Sequence, residues 1–188
     1  RRVAVIDADL GQSDIGPPST IGYSRLTRPT RDLFDLGAER AVFVGVTSPS
    51  WAVNRVLEGL TRLRGAVTEE EADILIVNTD GWISGEDAIV YKARLVERIA
   101  PRVVVGIQRE GELEPVLAAL KGVRALRVDP PPTILGRSRE RRKTLRELSY
   151  RKHLKGAVAR SFSLARVRVE GGPLGTGRPP TEEQRKGV

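Results

Sequence analysis

The residues best suited to chemistry sit where short apolar runs stop. The first run, residues 3–6, ends in DADLGQ (residues 7–12), with Gly16, Pro17 and Pro18 beyond it. Two carboxylates, Asp7 and Asp9, two residues apart at a strand end, suit the orientation and deprotonation of a weak hydroxyl nucleophile. The ordinary alternative is that Asp is common where strands turn into loops. A second run leads into Thr47, Ser48, Pro49 and Ser50, and a third into Asn78, Thr79, Asp80, Gly81 and Trp82. An indole beside a glycine at a strand mouth offers a flat face for a nucleic-acid base, worth about 1–3 kcal/mol. Its other reading is a ring that covers the sheet edge or fills a domain interface. Gln108, past a fourth run, is placed to hydrogen-bond a base edge or to cap its strand. Arg142 and Arg146 stand four apart, so on a helix both project from one face and converge on one phosphate group.

Composition removes several alternatives. The 188 residues contain no Cys, which excludes disulfide frameworks, thiolate zinc sites and cysteine nucleophiles. A single His, His153, leaves no His-rich metal centre, argues against a Ser-His-Asp triad and reads as a bystander. No apolar run approaches the roughly 18 residues of a membrane span. The formal charge is +8, and all of the excess lies between residues 137 and 160, where ten Lys or Arg face only Glu140 and Glu147. Such a segment points to a polyanionic partner, or else to a solvated basic helix. Arg139, Arg141, Lys143, Arg151 and Lys152 lie off the Arg142–Arg146 stripe and are available to a nucleic-acid backbone. The Gly-Thr-Gly at 175–177 opens no helix, so a dinucleotide fingerprint is rejected.

The elements that position these groups follow from the apolar pattern. Continuous apolar runs at 3–6, 41–46, 73–77, 102–107 and 123–128 read as buried strands. Helical patterns lie between them, over 53–63 behind a Ser-Pro-Ser cap, over 88–100 before Pro101, and over 112–120. Alternation of this kind predicts an α/β domain with a mainly parallel sheet and helices on both faces. Ligands then bind beyond the carboxyl ends of the strands, where the groups above emerge. Residues 129–132 (DPPP) form a stiff break before the basic helix. Residues 162–170 alternate apolar and polar, as the first strand of a β-rich domain does. The expected division is a domain over 1–160, with a basic lid at about 137–155, and the start of a second domain over 161–188. The opening on Arg1 within a strand-like run predicts a longer parent protein.

Together these residues carry a resemblance. VAVIDADLGQSDIGPPSTIG, then FVGVTSPS, then DILIVNTDGWISGEDA and the Arg-rich helix resemble the polynucleotide 5′-hydroxyl kinase family over roughly residues 1–175. That family includes archaeal RNA kinases, nucleolar pre-rRNA kinases and the kinase-like subunit of the pre-mRNA cleavage complex; the archaeal branch is the most similar. D-x-D-x-G-Q followed by N-T-x-G-W is a specific combination.

The resemblance implies a P-loop NTPase-like fold and ATP- and Mg²⁺-dependent transfer to the 5′-hydroxyl of RNA, with DNA and other nucleoside triphosphates as further possibilities. Asp9 falls at the family's Walker B carboxylate, near Mg²⁺ and the attacking hydroxyl. Gln12 lies alongside, and Asp7 is the reserve carboxylate. Thr79 and Trp82 fall in the clasp that grips the 5′ end, with Thr47 and Gln108 on the same substrate side. Arg142 and Arg146 match the R-x-x-x-R of a phosphate-covering lid, and Arg137 an Arg before it. The phosphate-binding loop G-x-x-x-x-G-K-[ST] is not among these residues and is expected to end about 20 residues before Arg1. A cytoplasmic kinase is the first reading. A non-catalytic nucleotide-binding adaptor is the second, and a regulatory P-loop ATPase or GTPase the third.

Overall fold

The computed structural model describes residues 1–69, 72–132, 136, 138–163 and 165. Arg137, residue 164 and residues 166–188, which include most of the expected β-rich segment, lie outside the described residues. Arg1–His153 form one compact unit. A second unit begins at Leu154, where the Ala157 N–H donates to the Leu154 carbonyl at 2.9 Å. Among the described residues no helix is long and apolar enough to cross a membrane.

The centre of the first unit is β1 (Val3–Ala8), whose last five residues are fully buried. It pairs in parallel with β4 (Ile74–Thr79), and this register sets Asp7 beside Asn78 and Ala8 beside Thr79. On its other side runs β2 (Thr20–Leu26), antiparallel to β1, followed by β3 (Arg40–Phe43), antiparallel to β2. The order is therefore β3-β2-β1-β4. Because β2 alone is reversed, β1, β3 and β4 deliver their carboxyl ends to the same edge. β5 (Val103–Ile107) and β6 (Arg124–Val128) pair in parallel as a separate two-stranded sheet.

Helices cover the four-stranded sheet. In α1 (Val53–Glu69), Val56, Leu57, Leu60 and Leu63 recur at helical spacing and are all buried against Ile6, Ile21 and Tyr23 in one core. Truncating any of these leucines to Ala costs about 2–5 kcal/mol. α2 (Glu86–Ile99) carries Glu86 and Asp87 in its first turn, which suits the helix dipole. It stops at Ala100 in the left-handed conformation just before Pro101, which cannot continue a helix. α3 (Glu114–Ala119) follows β5. α4 (Arg139–His153) is capped by Ser138, whose Oγ accepts the Arg141 N–H at 3.2 Å while its carbonyl accepts that of Arg142 at 3.0 Å.

Two features differ from the sequence pattern. The strand β2 was not legible in it, and the outer strands are not buried on both faces. Ile76 on β4 is 52% exposed, and Val105 and Ile107 on β5 are 54% and 60% exposed. The described helices leave those apolar side chains open to solvent.

Candidate functional site

The two carboxylates that close β1 have different fates. Asp7 is completely buried and its oxygens are spent on the fold. Oδ1 accepts from Asn78 Nδ2 at 2.9 Å and the Asp9 N–H at 3.2 Å. Oδ2 accepts from the Asp14 and Ile15 N–H groups and the Ser13 hydroxyl. It ties β1 to β4 and folds the following loop back on the strand. Asp9 sits half-buried beyond it. Its Oδ1 accepts the N–H groups of Gly11 and Gln12, both at 3.0 Å, while Oδ2 has no partner among the described residues. Burial pushes the Asp9 carboxyl above its ordinary value. The Gln12 and Gly11 N–H groups pull the other way, and the nearby Asp7 and Asp80 carboxylates add to the rise. Gly11 is required here: a Cβ would lie 2.9 Å from the Thr47 carbonyl, which brings the end of the β3 segment against this loop.

The end of β4 is held from behind by α2. Asp80 is buried, and its Oδ1 accepts the Trp82 N–H at 3.0 Å. Oδ2 accepts the Tyr91 hydroxyl at 2.9 Å, and Lys92 Nζ pairs with Oδ1 at 3.2 Å. Lys92, only 7% exposed, also donates to the Asp80 carbonyl at 2.6 Å and to Thr79 Oγ1 at 3.2 Å. The Trp82 indole stacks on Tyr91 with ring centres 5.5 Å apart and planes 24° from parallel. Trp82 is thus half-buried, with one face supported by Tyr91. Burial pushes the Lys92 ammonium below its ordinary value, with the Asp80 carboxylate opposing, and burial likewise raises the Tyr91 phenol. Sequence reasoning gave Asp80 no role beyond its strand-end position and passed over Tyr91 and Lys92. The signal was a Lys on the apolar stripe of α2, in step with Ala88, Tyr91, Leu95 and Ile99.

The basic helix closes over the same edge. Gln12 Nε2 donates to the Arg142 carbonyl at 3.2 Å, which joins the first turn of α4 to the Asp9 loop. Arg146 lies one turn further on, and neither guanidinium hydrogen-bonds a carboxylate among the described residues. Arg146 lines a cavity of about 300 Å³ with Gly11, Gln12, Asp32, Phe34 and Ser149, the last buried with a hydroxyl that has no partner among the described residues. At the far end of α4, Lys152 lies 4.0 Å from the Phe34 ring centre and donates to the Phe34 and Leu36 carbonyls. α4 is therefore fastened at both ends.

Asp9, Gln12, Thr47, Thr79, Trp82 and Arg146 are brought to one edge of the sheet. Gln108 is engaged elsewhere. Its Nε2 donates to Glu114 Oε1 at 2.6 Å, its Oε1 accepts the Leu113 N–H at 3.0 Å, and its own N–H bonds the Val128 carbonyl. These contacts cap α3 and the end of the small sheet, and none involves a residue of the Asp9 cluster. Arg137 lies outside the described residues.

The edge combines a carboxylate with one unengaged oxygen, an aromatic face beside a hydroxyl, and cations on a capping helix. No group of three or more carboxylates or imidazoles that could hold a metal forms among the described residues. The donor set fits Mg²⁺ held through water on the one carboxylate, with phosphate oxygens and further water completing the shell. Burial without a counter-charge on Asp9 Oδ2 agrees with such a cation.

The profile of the family described as mRNA cleavage and polyadenylation factor CLP1 P-loop matches residues 1–156. The chain is 28% identical over 184 residues to a polyribonucleotide 5′-hydroxyl-kinase of Pyrococcus furiosus, covering 98% of this chain and 51% of that protein. It is 27% identical over 185 residues to one of Methanocaldococcus jannaschii, with the same coverage. The chain therefore spans about half the length of the curated relatives it matches. Among solved structures, wild-type Clp1p in complex with Pcf11p superposes with a TM-score of 0.61 at 12% identity, over 86% of this chain and 44% of that one. This likeness shows the fold alone, α/β and consistent with the P-loop NTPase type. Sequence profile and fold agree: the chain belongs to the Clp1 P-loop family.

Proposed function

We propose that the protein carrying this chain is a cytoplasmic, ATP- and Mg²⁺-dependent polynucleotide 5′-hydroxyl kinase that acts on RNA ends, with DNA ends as a second acceptor class. The observation that carries the reading is the division of labour between the two carboxylates of β1. Asp7 is consumed by five hydrogen bonds, whereas Asp9 keeps Oδ2 unengaged at the sheet edge. Transfer of a γ-phosphoryl group is mainly a matter of positioning and charge neutralisation. Asp9 Oδ2 orients the 5′-hydroxyl and takes its proton as the new O–P bond forms and the bond to the leaving nucleoside diphosphate breaks. Arg142 and Arg146 neutralise charge on the phosphoryl oxygens, with Gln12 holding the first turn of their helix. Trp82 and Thr79 hold the acceptor's first nucleotide, and Thr47 borders it. Asp7 acts through Asp9 and Asn78, and Gln108 has a structural place. Bound Mg²⁺ supplies further neutralisation of the phosphate oxygens.

The relatives named polyribonucleotide 5′-hydroxyl-kinases support this reading. So does the place of β4 at the end of the sheet among the described residues, where its backbone can pair with a further parallel strand, such as one leading into a phosphate-binding loop. The adaptor reading is favoured by the solved neighbour's state as a two-protein complex. The supported indole and the arginine pair together favour a nucleic-acid kinase over a regulatory NTPase. Incubating the protein with γ-labelled ATP, Mg²⁺ and matched RNA and DNA oligonucleotides tests the proposal. Label on the RNA supports the kinase. ATP binding without transfer, together with a degenerate loop in place of G-x-x-x-x-G-K-[ST], establishes the adaptor.

A further inference from the structure

A lysine inside an apolar helix face is costly unless every charge and proton is satisfied. Lys92 meets that condition in a way that bears on the acceptor. An ammonium has three protons and no lone pair. The Lys92 Nζ finds three acceptors, the Asp80 carbonyl, Asp80 Oδ1 and Thr79 Oγ1. Thr79 must therefore accept with its oxygen, and its own hydroxyl hydrogen is directed away from Lys92. Thr79 is half-buried, at the end of β4 next to the Asp9 edge. A hydroxyl constrained to donate suits an oxygen acceptor, and the nucleic-acid group rich in such oxygens is a phosphodiester.

The adjacent residue of α2 acts on the other gripping side chain. Tyr91 is 1% exposed, supports the Trp82 indole from beneath and is fixed by its own hydroxyl bond to Asp80 Oδ2. Asp80 also takes the Trp82 N–H, so backbone and ring are both held. One buried carboxylate thus couples two consecutive helix residues to both members of the clasp.

We propose that Asp80, Tyr91 and Lys92 are positioning residues for acceptor binding. Lys92 sets Thr79 as the donor to the first phosphodiester of the strand, and Tyr91 with Asp80 fixes the plane of Trp82 for the terminal base. The inference rests on the reading of Thr79 and Trp82 as the grip on a 5′ end. A purely structural ion pair would be replaceable without effect on substrate binding.

The test uses the full-length protein, with 5′-hydroxyl oligoribonucleotide and ATP varied separately. Tyr91→Phe keeps the stack and removes one hydrogen bond. Asp80→Asn combined with Lys92→Met removes both charges, so neither is left buried and alone. Each is expected to raise the KM for the oligonucleotide about fivefold or more, with kcat and the KM for ATP within twofold. In a Trp51→Phe background, Trp82 emission should shift in both variants and respond less to oligonucleotide. An unchanged oligonucleotide KM with lowered melting temperature overturns the positioning role, as does a parallel change in kcat and both KM values. Wild-type protein that neither binds nor phosphorylates the oligonucleotide overturns the underlying kinase reading as well.

Discussion

Replacing Asp9 by Asn should separate stability from activity, with opposite signs. The carboxamide keeps Oδ1, so it can accept the Gly11 and Gln12 N–H groups as the carboxylate does at 3.0 Å, and the loop geometry survives. What disappears is a charge that the fold holds at a cost: burial first, then the Asp7 and Asp80 carboxylates, raise the Asp9 carboxyl above its ordinary 3.8. An acid raised on folding stabilises the native state only while protonated. That stability is present below the unfolded value and is lost as pH rises through the folded one. At pH 7 in metal-free buffer, Asp9→Asn should therefore melt at or above the wild-type temperature, and the two curves should converge below pH 3.8, where Asp9 is neutral. Activity moves the other way. Loss of a positioned base removes about 10²–10⁴ in kcat, equivalent to about 2.7–5.4 kcal/mol of barrier at 1.36 kcal/mol per tenfold. Thermal melts across pH and initial rates of labelled transfer to a 5′-hydroxyl oligonucleotide measure both halves. A fall in Tm beyond about 4 °C, which corresponds to roughly 1 kcal/mol or more, or a rate within a few-fold of wild type, refutes the reasoning.

Arg142→Ala and Arg146→Ala should lower kcat more than they weaken RNA binding, because contacts to developing charge are made in the transition state. A purely salt-sensitive loss of affinity would make α4 a polyanion tether instead. Trp82→Ala should raise the Kd for an oligonucleotide about fivefold to a hundredfold, alike for purine and pyrimidine ends. Its stability cost should stay below the roughly 3–5 kcal/mol of deleting a core Trp, since Trp82 is half-buried and packs on the core with only part of its ring; a loss of that size with unchanged affinity would mark it as core filler. The hydrogen bonds from Arg127 and Gln108 hold the Glu114 carboxyl down to about 2. A lowered acid contributes stability above its unfolded value of 4.5, which is lost as pH falls through about 2. Glu114→Gln should thus melt slightly below wild type at pH 7 and with it at pH 2, and a pH-independent gap in the melts would rule this out.

Much of the fold lies open in the sequence because its strands are central and its helices amphipathic. β1 is a continuous apolar run since both of its faces are buried, and the α1 and α2 stripes repeat at helical spacing. β2 escaped because Gly22, Ser24 and Arg25 interrupt its apolar residues. Gly22 is there because a Cβ would meet Ile15 at 3.1 Å. At the site, the spacing of D-x-D located two carboxylates without ranking them. The ranking depends on the loop returning to Asp7 through Asp14 and Ile15, a tertiary event. The fastening of α4 joins residues 130 and 118 positions apart, Gln12 with Arg142 and Phe34 with Lys152, beyond the reach of any local pattern. Gln108 was ambiguous for the opposite reason. Its donor and acceptor are satisfied within six residues, so a strand-end position alone did not signal a ligand.

The most direct measurement compares two RNA oligonucleotides identical except at the 5′ terminus, one hydroxyl and one phosphate, each incubated with the full-length protein, Mg²⁺ and γ-labelled ATP. Label should appear on the hydroxyl-ended strand alone, be released by a 5′-phosphatase, and fall at least about a hundredfold in rate with Asp9→Asn. Label that goes to inorganic phosphate at the same rate with either strand, or a transfer rate indifferent to Asp9→Asn, would contradict the assignment of this sheet edge as the acceptor site of a polynucleotide kinase.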